Sequence, residues 1–311
     1  MTQTASARTH VVPPIIVGIV LACVPLVWHN DYVVSLLILV LLHSLMTQSW
    51  NLTIGMCGLW NLGQLAIIAI GGYATGILTV QLGISVWLAL PAGVVAGGLA
   101  AGIMVLPTLR LRGVYAALLT FALAEVVRLI ILADGTGFTG GRFGLSGVPG
   151  LFDRLSYSGS LRASFWLVLA LSLAAMLLVR GMMDSPFGRG IDRRRQAIVA
   201  TLVSGLVAGL AGGLYVTFYH GITPSFMGLA PLGLLLIMVV VGGLGTVRGP
   251  VLGAFVVTIL SELLHDTVLW RLLVLGGLLF LVLTFWPAGI DGLLERILDK
   301  IRAWRKGVDE T

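Results

Sequence analysis

Glu125 and Arg128 stand three residues apart in "LTFALAEVVRL", a carboxylate and a guanidinium on one face of an otherwise apolar helix. Charges in apolar surroundings are costly and usually face a protein interior or a water-filled cavity, so the pair marks a candidate polar pathway. The same spacing also suits a helix-stabilising ion pair near the end of a membrane span. Asn61, Gln64, Tyr73 and Tyr115 lie on adjoining apolar segments and could offer hydrogen bonds to a polar solute. Each could equally be a contact between helices. Covalent chemistry has one weak candidate, "GLSG" at 144–147, which matches the short nucleophile motif of rhomboid-type intramembrane proteases, with His220 or His265 as base. A serine nucleophile must be held rigidly beside its base, and a four-residue match in a glycine-rich loop does not supply that.

Other chemistries are excluded more firmly. The chain has two lysines, Lys300 and Lys306, neither followed by Ser or Thr, so it carries no Walker A loop and hydrolyses no ATP by that route. No H-E-x-x-H or Cys/His cluster suggests zinc, and His10, His29, His43, His220 and His265 are scattered. Cys23 and Cys57 form neither a metal spacing nor a disulfide framework and read as packing residues.

The elements that must hold these residues are membrane helices. Of 311 residues, 58% are hydrophobic and only 10% charged, and the mean hydropathy is +1.04. A soluble fold of this size cannot bury so much apolar surface, whereas a bilayer removes the problem. Spans of about 20 apolar residues are expected at 11–28, 32–49, 62–80, 84–107, 113–132, 162–180, 197–219, 229–246, 250–265 and 269–286. The expectation is an all-α polytopic bundle of about ten transmembrane helices. Its transmembrane domain covers 1–290, and a cytosolic amphipathic tail covers 291–311. The first apolar run lacks a small-residue cleavage site and is expected to stay as a signal anchor.

Charge orients the bundle. With both ends in the cytosol, fourteen of the 19 Lys and Arg residues fall on the cytosolic side and five outside, as the positive-inside rule requires. The net charge of +6 and pI near 9.8 therefore point to a membrane surface and its lipid, not to nucleic acid. Trp28, Trp87, Trp166, Trp270 and Trp286 near span ends fit an aromatic belt. The glycine-rich stretch 133–161 is expected outside. In the tail, Ile290, Leu293, Leu294, Ile297, Leu298, Ile301 and Trp304 recur at helical steps opposite a charged face, as in a helix lying in the interface.

Glycine is abundant, 41 residues, and recurs at four-residue steps: Gly205, Gly209 and Gly213; Gly245, Gly249 and Gly253; Gly93 and Gly97. Tight helix packing explains such spacing. Broken, glycine-rich segments lining a solute route, with 58–73 and 242–255 as candidates, are the other reading.

Several segments resemble the permeases of branched-chain amino-acid ABC importers, the LivM type. "GLWNLGQLAIIAIGGYATGIL", "PTLRLRGVYAALLTFALAEVVR", "TGGRFGLSGVP", "DSPFGR", "AGLAGGLY" and "MVVVGGLGTVRGPVLGA" are similar to that family's motifs in the expected order, from about residue 45 to 290. The third also accounts for "GLSG" without a protease. The resemblance implies a bacterial inner-membrane permease without a cofactor of its own. It would work with a second homologous permease, two cytosolic subunits that use ATP, and a periplasmic solute-binding protein. Family substrates include leucine, isoleucine and valine, with urea, amides and other small solutes among relatives.

One departure stands out. In the family, the S-P-F-G-R segment leads into a longer acidic helix that seats against the ATPase. Here Ser185, Pro186, Phe187, Gly188 and Arg189 lead through three residues to Arg193, Arg194 and Arg195, and most of that element is missing. These residues form the expected coupling loop. The departure leaves three outcomes open: a short basic loop that still docks, coupling through the partner permease, or an uncoupled, degenerate permease-like channel.

Overall fold

In a computed structural model, the chain is described over residues 30–108, 111, 113–153, 155–184, 193–264, 268–286, 288–293 and 296. Among these residues run nine helices of fourteen residues or more: α1 (Asp31–Cys57), α2 (Gln64–Val80), α3 (Val86–Thr108), α4 (Val114–Leu132), α5 (Tyr157–Asp184), α6 (Arg193–Tyr219), α7 (Leu229–Gly242), α8 (Gly249–Leu263) and α9 (Val268–Phe285). They form a helical membrane bundle. The expected span 11–28 and all but the start of the tail lie outside the described residues, and 289–293 are helical.

Five helices are long and apolar enough to cross a membrane: α1, α3, α4, α5 and α6. The others are apolar but shorter. A helix rises about 1.5 Å per residue, so α7 with its 14 residues reaches roughly 21 Å, short of a ~30 Å hydrocarbon core. A 3-10 turn at Pro224–Met227 precedes α7, and glycines 243 and 245, with φ of 120° and 77°, bend the chain sharply into α8.

Local signals set the ends. Asn30 caps α1 by accepting the Tyr32 N–H at 3.0 Å, and Gly58 in the left-handed region closes it, donating to Ile54. The second half of α1 is buried although polar. Thr47, Ser49 and Thr53 solve this by donating their hydroxyls to carbonyls within the same helix at 2.7–3.0 Å.

α6 is the hub and packs on α1, α2 and α3. α1 in turn holds α5, α7 and α8, while α4 leans on the edge of α2 and α3. Glycine makes the hub possible. A Cβ on Gly97 of α3 would lie 2.6 Å from both the Gly205 carbonyl oxygen and the Gly209 Cα of α6. The four-residue glycine steps are therefore helix-packing seams, where backbones touch and dispersion replaces the hydrophobic drive that lipid cannot give.

One end of the bundle, the basic end, carries Arg180 and the start of α6. The opposite end carries the long connection 133–156. There β1 (Leu145–Ser146) pairs antiparallel with β2 (Gly221–Ile222), Leu145 opposite Ile222. Asp134 organises the start of this connection by accepting the N–H and the hydroxyl of both Thr136 and Thr139 at 2.6–2.9 Å. Those bonds, the Thr136 hydroxyl first, hold its carboxyl well below the usual carboxylate range.

Candidate functional site

The five candidate pathway residues fall into two groups. Asn61, Gln64 and Tyr73 are buried. Asn61 lies in the turn between α1 and α2, its Oδ1 accepting the Gly63 N–H at 3.0 Å while its amide donates to Gln64 Oε1 at 3.2 Å. Gln64 donates to Ser49 Oγ of α1 at 2.9 Å and to Ser204 Oγ of α6 at 3.3 Å, and Ser204 donates to the Ser49 carbonyl at 2.5 Å. This network ties three helices together and satisfies every polar atom of the Gln64 amide. Tyr73 stands apart, its hydroxyl 3.5 Å from the Ile222 carbonyl, where β2 folds down onto α2.

Tyr115 and Glu125 lie on α4, the least covered of the five long helices. Only 22% of its apolar window is buried, against 67% for α1 and α6. Ala116, Thr120, Ala124 and Ile131 form its buried stripe. Tyr115, Leu118, Ala122, Val126 and Leu129 form the opposite, exposed stripe, with Tyr115 72% exposed. Glu125 flanks this stripe in a bidentate ion pair with Arg128, whose Nε donates to Oε2 at 2.9 Å.

Of the expected coupling residues, the basic end holds Arg193, Arg194 and Arg195. Ser185, Pro186, Phe187, Gly188 and Arg189 lie outside the described residues. Arg193, Arg194 and Arg195 open helix α6 instead of closing a loop, with Arg194 and Arg195 exposed. Three arginines at a helix N-terminus oppose the helix dipole, which there favours anions. In the second half of α1, Asn51 grips the turn between α7 and α8, accepting the Gly245 N–H at 2.9 Å and donating to the Thr246 carbonyl at 2.8 Å. Asn51, Ser49 and Ser204 were not singled out from sequence; their partners are remote, and only the fold brings them together.

For the protease alternative, Ser146 lies in β1 opposite Gly221, and His220 Nδ1 is engaged by the Val148 carbonyl at 3.0 Å. Among the described residues no hydrogen bond joins Ser146 to a histidine. His265 lies outside them.

Apolar helices packed on glycine seams, a hydrogen-bonded Gln64–Ser49–Ser204 network inside and an ion pair on an outward face define a multi-pass membrane protein. The family profile "Branched-chain amino acid transport system / permease component" matches residues 32–283, and the chain belongs to that family. It is similar to the "High-affinity branched-chain amino acid transport system permease protein LivM" of Escherichia coli (strain K12), 29% identical over 297 residues that cover 83% of this chain and 69% of that protein. The protein of the same name from Salmonella typhimurium (strain LT2) is 28% identical over 296 residues, with the same coverage. No solved structure matches.

Proposed function

We propose that this chain is the transmembrane permease subunit of an ABC importer that carries branched-chain amino acids across the bacterial inner membrane. Two ATPase subunits dock at the basic end and use the ATP, and a periplasmic binding protein delivers solute at the opposite end. Family membership over residues 32–283 carries the reading. The α4 face supports it further. Glu125 and Arg128 on a lightly packed helix should not face lipid, because even a paired charge is expensive in hydrocarbon. A second, homologous permease covers this face, and solute passes along it, so that Tyr115 and Glu125 line the path. Asn61, in the turn before α2, and Gln64 and Tyr73 of α2 back the same path and hold its wall in place.

A second reading, an uncoupled permease-like channel, draws on the short connection between α5 and α6: Asp184 ends one helix and Arg193 begins the next. Affinity purification of the tagged chain from its native membranes separates the two. The importer reading expects an ATPase and a second permease to co-purify. Recovery of neither, with the chain intact and folded, would leave the channel reading.

A further inference from the structure

At the end opposite the arginines, α5 and α6 part over α1 and leave a cavity of about 380 Å³. This volume falls in the range of small-ligand pockets. Its mouth carries Asp153, Tyr157 and His220, its depth is walled by Leu161, Val168, Leu214 and Phe218, and Ser160 and Ser164 add hydroxyls between the two. No Lys or Arg among the described residues lines it. The cavity lies on the α5–α6 side of the bundle, away from the α4 face, and the transport reading makes no use of it.

The mouth is built, not incidental. His220 is the one non-glycine residue with positive φ, 56°, among those described. Such backbone is strained for a residue with a side chain and persists only where its surroundings impose it. Here His220 exchanges two bonds with Val148: its carbonyl accepts the Val148 N–H at 3.2 Å, and its Nδ1 lies 3.0 Å from the Val148 carbonyl. A carbonyl only accepts, so Nδ1 is the donor to Val148, which leaves Nε2 as the ring nitrogen that can accept. Asp153 Oδ2 accepts the Gly150 N–H at 2.8 Å. Its Oδ1 and His220 Cε1 both crowd Gly150, where a Cβ would come within 3.2 Å of the ring. A carboxylate oxygen and an imidazole nitrogen, both acceptors, thus share one mouth above an apolar pocket.

We propose that this cavity binds a primary ammonium group carried on an aliphatic body. The ammonium offers three N–H donors, which match Asp153 Oδ1, His220 Nε2 and a serine hydroxyl, and the aliphatic part fills the space beside Val168 and Leu214. Two sources have this chemistry: a free aliphatic amino acid, and an aminolipid whose head sits at the mouth with a chain in the cleft.

The test uses the full-length chain. In phosphatidylglycerol nanodiscs, leucine, 3-methylbutylamine and 4-methylpentanoate, which lacks the amine, are titrated by calorimetry. In detergent, native mass spectrometry compares retained phosphatidylethanolamine with phosphatidylcholine, whose quaternary head has no N–H. A free-solute site binds the two amines and not the acid. An aminolipid site retains the ethanolamine lipid over the choline lipid. In either case Asp153→Asn weakens binding by roughly tenfold, as loss of a charge-assisted hydrogen bond should. His220→Gly does the same while easing the backbone, so it should fold. The proposal is overturned if neither arm prefers a primary amine, or if both variants bind as the unaltered chain does. Neither result bears on whether the chain transports.

Discussion

The α3–α6 seam and the outward face of α4 answer the membrane in opposite ways. At the seam, Gly97, Gly205 and Gly209 remove side chains so that two backbones touch, and the surrounding surface is buried. On α4, large side chains and an ion pair stand where the rest of this chain offers little cover. The seam is complete within one chain. The α4 face is half of something, because a charged pair between helices needs protein or water on its open side. Small residues therefore mark finished contacts here, and stranded charges mark the contact still to be made.

The largest expected effect breaks the seam. Gly209→Leu places a branched side chain against the Gly93 carbonyl and Val94, where even a Cβ meets backbone within 2.9 Å. Overpacking of this kind costs about 1–3 kcal/mol or more, and the helices cannot part without losing the whole interface. The variant should vanish from membranes, read by immunoblot, whereas Gly233→Leu, where a Cβ meets nothing within 4 Å, should accumulate normally.

Next comes the open face. Glu125→Ala should leave abundance unchanged and lower solute uptake by about tenfold or more, equivalent to at least ~1.4 kcal/mol on the limiting step. Exchanging the charges in a Glu125→Arg, Arg128→Glu double variant should recover part of the loss. Equal uptake by all these variants would place the path elsewhere.

The buried network sharpens the contrast from the other side. Gln64→Ala strands Asn61, Ser49 and Ser204 without their shared partner, at about 1–3 kcal/mol of stability. It should lower the melting temperature in detergent, and any loss of uptake should follow the loss of folded protein. Uptake lost at full stability would make Gln64 a direct contact of the solute.

The smallest effect is at Asp134. Its carboxyl titrates below its ordinary value, so its contribution is present above the unfolded pKa of about 3.9 and is lost as pH falls further. The 134–139 turn should hold from neutral pH to about pH 4 and loosen below it, read as hydrogen exchange corrected for intrinsic rate. Asp134→Asn should show the loosened turn already at neutral pH.

Apolar runs made most of the helices legible, since length and hydropathy are local properties. The glycine steps also disclosed the seams, because Gly93, Gly97, Gly205 and Gly209 pack as their spacing suggests. Other features depend on remote partners. In sequence Gln64 could serve either a solute or a neighbouring helix, and its partners Ser49 and Ser204, 15 and 140 residues away, are named only by the fold. Three arginines in a row read as loop, yet α6 begins on them, because the packing of the rest of α6 outweighs an unfavourable first turn. The Asp153–His220 mouth depends on the pairing of β1 with β2, two-residue strands that carry no periodic signal.

Uptake of labelled leucine, isoleucine and valine is the most direct measurement, made on native cells with the chain deleted, restored, or restored as Glu125→Ala. The account predicts uptake lost on deletion, recovered with the unaltered chain, and not recovered with Glu125→Ala at equal membrane abundance. Uptake of all three that is indifferent to deletion would contradict a branched-chain amino-acid permease.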